Sequence, residues 1–144
     1  MHNANTWLAL RNFDWDAHTD RGRREADRAV MRRVIDPDAP IDRRASARLE
    51  KLRSRGYRAT LARVLRQNLE LGAQRSPVAP PVARLLARNP GDASLIATGL
   101  EHGDPDPRAV IETERLLEAP VPSPERLAWI LRLLAPSRAP ACEL

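Results

Sequence analysis

Residues 43–67 read RRASARLEKLRSRGYRATLARVLRQ, and this stretch decides the fold class. Apolar side chains recur at helical spacing in two consecutive runs around it. The first run comprises Ile41, Ala45, Leu49 and Leu52. The second comprises Leu61, Val64, Leu65 and Leu69. Such stripes pack against a core, so the pattern predicts two amphipathic helices, and no segment alternates apolar and polar residues well enough to predict a core strand.

Thirteen prolines stand almost entirely between the periodic segments, which is typical of short helices joined by tight loops. The predicted helices span roughly 20–35, 41–55, 58–72, 80–89, 92–102, 106–118 and 123–135. We expect Gly56 and Gly103 to follow helix ends, and Asp92 to cap a helix start. The sequence therefore predicts an all-α fold, a compact bundle of six to seven short helices with Pro-rich loops.

The chain length of 144 residues suits one domain. We expect residues 1–19 to form an N-terminal arm pinned by aromatic side chains, and residues 136–144 to form a frayed tail. Between them, residues 20–72 hold the basic helices and residues 80–135 the acidic and apolar ones. In the first helix, the inward side chains are predicted to be Val30, Met31, Val34 and Ile35.

Charge is unevenly distributed along the chain. Residues 1–77 carry 17 basic and 10 acidic groups, a net +7, while residues 78–144 carry 7 and 9, a net −2. All but one of the 24 basic residues are arginine, whose planar fork suits phosphate. A basic front half indicates a polyanionic partner.

The basic side chains of residues 43–67 fall beside the apolar stripes rather than within them. A row of cations next to a packed face predicts a track for the phosphate backbone that does not read sequence. Tyr57 is the one aromatic residue among these cations, so we do not expect base stacking to contribute much to the binding free energy. The alternative is a solvated face paired with acids of other helices. The predicted nucleic-acid contacts are Arg44, Arg48, Lys51, Arg55, Arg58, Arg63 and Arg66.

The segment DWDAHTDRGRRE, residues 14–25, has acids at the spacing of a calcium loop. Thr19 occupies the position that needs glycine, and three arginines oppose a divalent ion, so we predict no metal and an acidic turn that caps the first helix. The chain has no zinc motif, phosphate loop, dinucleotide fingerprint or nucleophile elbow. We therefore expect a protein without cofactor that is not an enzyme.

The single cysteine, Cys142, predicts a reducing compartment. The first residues lack a basic segment followed by an apolar run, and no apolar stretch approaches the ~18 residues of a membrane span. We expect a cytoplasmic protein that does not contact membranes.

The last predicted helix, SPERLAWILRLLA, is apolar on two faces. One face holds Leu127, Ile130, Leu131 and Leu134. The other holds Trp129 and Leu133. Such a helix is either central in the core or shared with a neighbouring subunit, and we assign Trp129 and Leu133 as the candidate protein interface.

Three phrases, taken in order, resemble the small, CasB-like helical subunit of CRISPR RNA-guided surveillance complexes. They are LRSRGYRATLARVL (52–65), SPVAPPVARLLA (76–87) and RLLEAPVPSPERLAWILRLLA (115–135). The chain departs from that family in its additional N-terminal residues and its scarcity of aromatics. The resemblance implies a non-enzymatic bundle that lines up in several copies beside other subunits and steadies guide RNA or bound target. The contacts it implies are Arg48, Lys51, Arg55 and Arg58.

Two other functions fit parts of the pattern. Residues 49–67 have the outline of a helix-turn-helix DNA-binding regulator in which Arg58-Ala59-Thr60 opens the recognition helix, although the turn is long for that motif. A helical adaptor or inhibitor would instead place the arginines against acidic protein. We expect the partners to be RNA or single-stranded DNA backbone, other subunits, and further copies of the chain.

Overall fold

The computed structural model describes residues 20–71, 78–119 and 121–135. Within these residues the chain forms seven α-helices and no strand, which confirms the predicted all-α bundle. The helices are α1 Asp20–Ile35, α2 Arg43–Arg53, α3 Arg55–Leu71, α4 Pro80–Arg88, α5 Pro90–Glu101, α6 Pro107–Glu118 and α7 Pro124–Leu134.

Side-chain caps and prolines set the helix starts. The carboxylate of Asp106 accepts a hydrogen bond from the amide of Arg108 at 2.8 Å, and the hydroxyl of Ser123 accepts one from the amide of Arg126 at 3.1 Å. A proline follows each cap, where its missing N–H costs nothing. Both starts were predicted from sequence. Asp42 caps α2 in the same way through the amide of Ala45.

Two predicted helix boundaries are wrong. Ser54 alone separates α2 from α3, and Gly56 lies in the first turn of α3 instead of following α2. Ser54 serves both ends, because its amide donates to the Lys51 carbonyl at 3.0 Å while its own carbonyl accepts from the amide of Arg58 at 3.0 Å. Helix α5 starts at Pro90, so Asp92 lies inside its first turn and is not the cap.

Gly103 follows the end of α5, as predicted, and its φ is 70°. The backbone there is in the left-handed region that glycine adopts without strain. It turns the chain toward α6.

Helices α3 and α6 occupy the centre of the bundle. Helix α3 packs against α2, α4, α5 and α6, most extensively against α5, and α6 packs against α1, α2, α3 and α7. The largest fully buried apolar side chains are Val30, Leu52, Leu61, Leu65, Val82, Leu86, Ile96, Leu100, Ile111, Leu116 and Ile130. One aliphatic core therefore joins all seven helices.

The apolar stripes predicted for α2 and α3 do face this core. Ala45, Leu52, Leu61 and Leu65 are buried there, while Leu49 and Leu69 pack against its edge. In α1 the assignment of Ile35 to the core is wrong, because its side chain is 72% exposed. Five residues on from Val30, it lies about 140° around the helix and so points away from the bundle.

The predicted N-terminal arm and C-terminal tail lie outside the described residues, as do Asp14 and Asp16 of the calcium-loop spacing. Asp20 and Glu25 of the same spacing lie in α1. None of the helices in the described part of the chain has the length and apolar character needed to cross a bilayer.

Candidate nucleic-acid interface

The seven cations predicted to contact nucleic acid do not share one surface. The side chains of Arg44, Arg55 and Arg63 are exposed, and those of Lys51 and Arg66 are half-buried. By contrast, Arg48 is only 2% exposed and Arg58 only 5% exposed. The predicted track is therefore interrupted by two residues that face the interior.

Arg48 is enclosed by acids of two other helices. Its Nε donates to Oδ1 of Asp27 in α1 at 2.7 Å, and its Nη1 donates to Oε2 of Glu114 in α6 at 3.1 Å, with Nη2 bonded to the second oxygen of Glu114. Arg23 donates to Glu114 at 3.1 Å, and the hydroxyl of Tyr57 donates to the same carboxylate. We call Arg23, Asp27, Arg48, Tyr57 and Glu114 the inner ion network.

The inner ion network keeps Glu114 and Arg48 charged despite burial. Burial alone would raise the pKa of Glu114, but the guanidiniums of Arg48 and Arg23 and the Tyr57 hydroxyl hold that pKa below its ordinary value. For Arg48, burial acts to lower the pKa, and the carboxylates of Glu114 and Asp27 outweigh it and raise the pKa. The network thus joins α1, α2, α3 and α6 by charge-assisted hydrogen bonds.

The assignment of Arg48 to an exposed cation row is wrong for a geometric reason. At about 100° per residue, Arg48 lies only about 40° around α2 from buried Leu52, whereas Arg44 lies about 80° from it. Arg48 therefore stands at the border of the apolar stripe. Its N–H donors already bind Asp27 and Glu114, so Arg48 cannot also bind a phosphate while the fold is intact.

Arg58 is also removed from the predicted interface. Its Nη1 donates to the carbonyl of Leu100 at 2.7 Å, and its Nη2 approaches the carbonyl of Arg53 at 3.4 Å. These carbonyls lie in the last turns of α5 and α2, where backbone acceptors lack helical partners. Arg58 thus caps two helix ends from inside. It cannot reach a base edge, as the helix-turn-helix interpretation requires, and the one-residue turn at Ser54 is shorter than that motif's turn.

Two further predicted contacts have partners within the protein. Arg66 lies 2.6 Å from Glu101, and this contact raises the pKa of Arg66 and lowers that of Glu101. The Lys51 Nζ lies 4.9 Å from the centre of the Tyr57 ring, a cation–π distance. Of the seven, Arg44, Arg55 and Arg63 are the ones that are exposed and in no ion pair with a described residue.

The structure shows a more regular row of cations on α1, which sequence reasoning missed. We call it the arginine row, and it consists of Arg21, Arg24, Arg28 and Arg32, all exposed. Their spacing of i, i+3, i+7 and i+11 aligns them within about 80° on the outer face and along about 16 Å of helix. Arg21 pairs with Glu25 at 3.1 Å. The side chains of the other three make no ion pair or hydrogen bond with any described residue.

The sequence did contain a signal for this row. Ala26 and Val30, which are buried, lie on the opposite face of the same helix at i, i+4 spacing. A wheel drawn for residues 20–35 separates them from the four arginines. Residues 43–67 hold more cations than residues 20–35, but the number of charges does not reveal which of them face solvent.

Helix α7 divides its apolar faces as predicted. Leu127 and Ile130 are buried, and Leu131 and Leu134 pack against the core. Trp129 is 40% exposed, with the Arg132 guanidinium 5.2 Å from its ring. Leu133 is half-buried beside a cleft of about 290 Å³ that also touches His102 and Asp104.

The described residues hold no group of three or more His, Cys, Asp or Glu side chains that could bind a metal ion. Comparison with models of protein families, with curated proteins and with solved structures finds no match for this chain. The function is therefore argued from the geometry.

Proposed function

We propose that this chain is a non-enzymatic helical protein that binds the phosphate backbone of nucleic acid without reading its sequence, as a structural subunit of a ribonucleoprotein. The observation that carries the proposal is the arginine row of α1. Exposed arginines at regular helical spacing, of which Arg24, Arg28 and Arg32 pair with no acid among the described residues, form a linear array of bidentate donors for phosphate oxygens.

Repulsion within the arginine row opposes formation of its own helix. Arg24 and Arg28, and Arg28 and Arg32, are like charges at i, i+4, and each such pair opposes the helix by about 0.2–0.5 kcal/mol. A polyanion along the row relieves this repulsion and releases its own condensed counterions. Binding therefore offsets a cost that the free protein carries.

The exposed cations of α2 and α3 supply a second, shorter contact. Arg55 and Arg63 lie on the outer face of α3, and Arg44 lies on an exposed flank of α2. Backbone contacts of this kind position a protein on nucleic acid and carry no sequence information. We therefore keep Arg44, Arg55 and Arg63 as contacts and exclude Arg48 and Arg58.

The expected affinity explains why we place the chain in a larger assembly. The four arginines of the row, taken alone, give a log–log salt slope of about −3.6 on duplex DNA or about −2.8 on a single strand, and non-specific dissociation constants are typically ~10⁻⁴–10⁻⁶ M. Copies arrayed on one strand would raise the effective concentration without new contacts. The resemblance to the CasB-like subunit points to the same kind of role, and the all-helical bundle is compatible with it.

Trp129 and Leu133 are the proposed contact with neighbouring subunits. Trp129 is exposed and lies next to Arg132, and both tryptophan and arginine are enriched at protein interfaces. Replacing Trp129 by Ala and Leu133 by Ser should reduce cooperative loading on a long strand while binding to a short oligonucleotide is kept. Unchanged cooperativity in a folded double variant would exclude this surface as the contact.

The central test compares two pairs of exposed arginines with identical spacing. Arg28→Glu with Arg32→Glu reverses two charges of the row, and Arg84→Glu with Arg88→Glu reverses two on α4, also at i, i+4. We expect the row variant to bind RNA and single-stranded DNA at least tenfold more weakly, with a salt slope shallower by about 1.4 on single strands. The α4 variant should keep the wild-type slope.

The outcomes separate the alternatives. Equal losses in both variants would mean that net charge, and not the row, drives binding. An unchanged affinity in the folded row variant would overturn the proposal. Capture of acidic protein by the row, together with no nucleic-acid binding at low salt, would favour the adaptor function instead.

A further inference from the structure

A cleft opens beside the arginine row, between α1 and the facing ends of α6 and α7. Its volume is about 310 Å³. The lining residues are Arg23, Arg24, Asp27, Arg115, Glu118, Ala119 and Arg126. Four guanidiniums against two carboxylates give the lining a formal charge of +2.

Both carboxylates of the lining already have partners. Asp27 accepts from Arg48 at 2.7 Å, and Glu118 accepts from Arg23 at 2.8 and 3.0 Å. Arg23 and Arg48 also bind Glu114, so these two cations are shared among three carboxylates. With Glu112 included, five arginines and four acids in and around the cleft leave a net charge of +1, and the positive charge that faces a ligand comes from Arg24, Arg115 and Arg126.

Glu112 brings two of these arginines together. Its Oε2 accepts from Nη1 of Arg115 at 3.2 Å, and its Oε1 lies 3.1 Å from Nε of Arg126. Each guanidinium is about one-third exposed, at 35% and 34%. Nη2 of Arg115 also lies 3.8 Å from Oδ2 of Asp27. Because each guanidinium has five N–H donors, donors remain on both arginines for a ligand in the cleft.

Arg24 completes the set from the opposite wall. Its side chain is exposed and in no ion pair with a described residue, and it belongs both to the cleft lining and to the arginine row. Three guanidiniums from three helices thus surround one concavity that continues directly into the row.

We propose that this cleft binds the terminal phosphate of a nucleic-acid strand whose diester backbone lies along the arginine row. A phosphomonoester carries about −1.5 to −2 charges at pH 7 and three strong acceptor oxygens, more than an internal diester offers. A concave site with several guanidiniums suits that compact anion, whereas the convex row presents single arginines about 6 Å apart along the axis. The inference rests on the proposed function and adds an end-specific contact to it.

The test uses three oligonucleotides of one sequence, carrying a 5′-phosphate, a 3′-phosphate or hydroxyls at both ends. We expect one phosphorylated form to bind about tenfold or more tightly than the hydroxyl form, as hydrogen bonds between ionised groups allow. Arg24→Gln and, separately, Arg126→Gln should abolish the preference. Arg28→Glu with Arg32→Glu should weaken binding of all three and leave the preference intact.

Inorganic phosphate provides an independent probe. Titration calorimetry should show it binding to the wild type and not to Arg126→Gln, with melting curves confirming that the variant is folded. Arg24→Gln, which removes no internal contact, serves the same purpose if Arg126→Gln unfolds. Equal affinity for all three oligonucleotides, or a preference that survives in both folded variants, would overturn the cleft site and leave the row proposal standing. Phosphate binding without any oligonucleotide binding would overturn both the row proposal and the strand-end contact, and would leave the cleft as a site for free phosphate.

Discussion

Arg48 of α2 and Arg28 of α1 are the same residue type on neighbouring helices, yet their surroundings are opposite. Arg48 is buried, and both of its anionic partners are supplied by the protein. Arg28 is exposed, and its side chain has no partner among the described residues. Ion pairing inside the molecule therefore distinguishes arginines that build the fold from arginines that remain open to a ligand.

The energies of the two regions differ in the same way. A buried ion pair contributes little net stability over an apolar replacement, but removal of one partner leaves an uncompensated charge that is costly. An exposed arginine without a partner contributes almost nothing to stability and can be replaced freely. Substitutions in the inner ion network should therefore lower the stability of the fold. Substitutions in the arginine row should leave stability nearly unchanged and should instead weaken nucleic-acid binding.

The largest expected effect is that of Arg48→Met. It leaves Asp27 and Glu114 without their shared cation, so unfolding in urea should show a loss of about 3–5 kcal/mol. Arg44→Met, one turn earlier and exposed, is the matched control and should change stability by less than about 0.5 kcal/mol. Similar losses in both variants would remove the distinction on which the comparison rests.

A smaller loss is expected for Glu114→Gln, about 2–3 kcal/mol at pH 7, since the amide oxygen still accepts hydrogen bonds. The folded-state pKa of Glu114 lies below its ordinary value of about 4.3, so its contribution to stability is fully present above that pH. It is lost as the pH falls through the folded pKa. Urea unfolding of both proteins at a series of pH values should show the gap between them narrowing below about pH 4.3. A gap that stays constant down to strong acid would mean that Glu114 is not held ionised by the network.

The sequence predicted the elements better than the partners of their side chains. The apolar stripes of α2, α3 and α7 and the helix starts at Asp106 and Ser123 depend on neighbours within one helix, and each was predicted correctly. The carboxylate partners of Arg48 and the Leu100 carbonyl that binds Arg58 come from residues 21 to 66 positions away. No local pattern encodes such contacts, so a cation at the border of an apolar stripe was assigned to solvent.

The arginine row shows the other side of this limit. The spacing of its four arginines is evident from residues 20–35 alone, whereas the density of cations in residues 43–67 does not identify the exposed face. The cleft, by contrast, could not be predicted, because Arg24, Arg115 and Arg126 meet only through packing of three helices. Local periodicity can thus locate a linear interface, whereas a concave site needs the tertiary structure.

Arg58→Met should have an intermediate effect, about 1–2 kcal/mol, because the carbonyl of Leu100 loses a charged donor at the end of α5. Arg55→Met, exposed at the start of the same helix, is its control. Hydrogen exchange should show faster opening of the last turn of α5 in the first variant alone. Equal protection in both would show that Arg58 is not a cap.

The smallest expected effect has the opposite sign. Arg28 stands between Arg24 and Arg32, so Arg28→Gln removes two like-charge i, i+4 pairs, each worth about 0.2–0.5 kcal/mol. Glutamine and arginine have similar helix propensity, so nothing in the helix itself offsets that gain. We expect Arg28→Gln to be more stable than the wild type by a few tenths of a kcal/mol to about 1 kcal/mol at low salt, with the gain vanishing in 1 M salt, where the screening length is about 3 Å. Arg84→Gln, which removes one such pair, should gain about half as much.

A loss above about 1 kcal/mol for Arg28→Gln would place it with Arg48 among the arginines that build the fold. The expected outcome is a gain in stability together with weaker nucleic-acid binding. It would mean that repulsion among Arg24, Arg28 and Arg32 lowers the stability of the free protein and is relieved when nucleic acid binds.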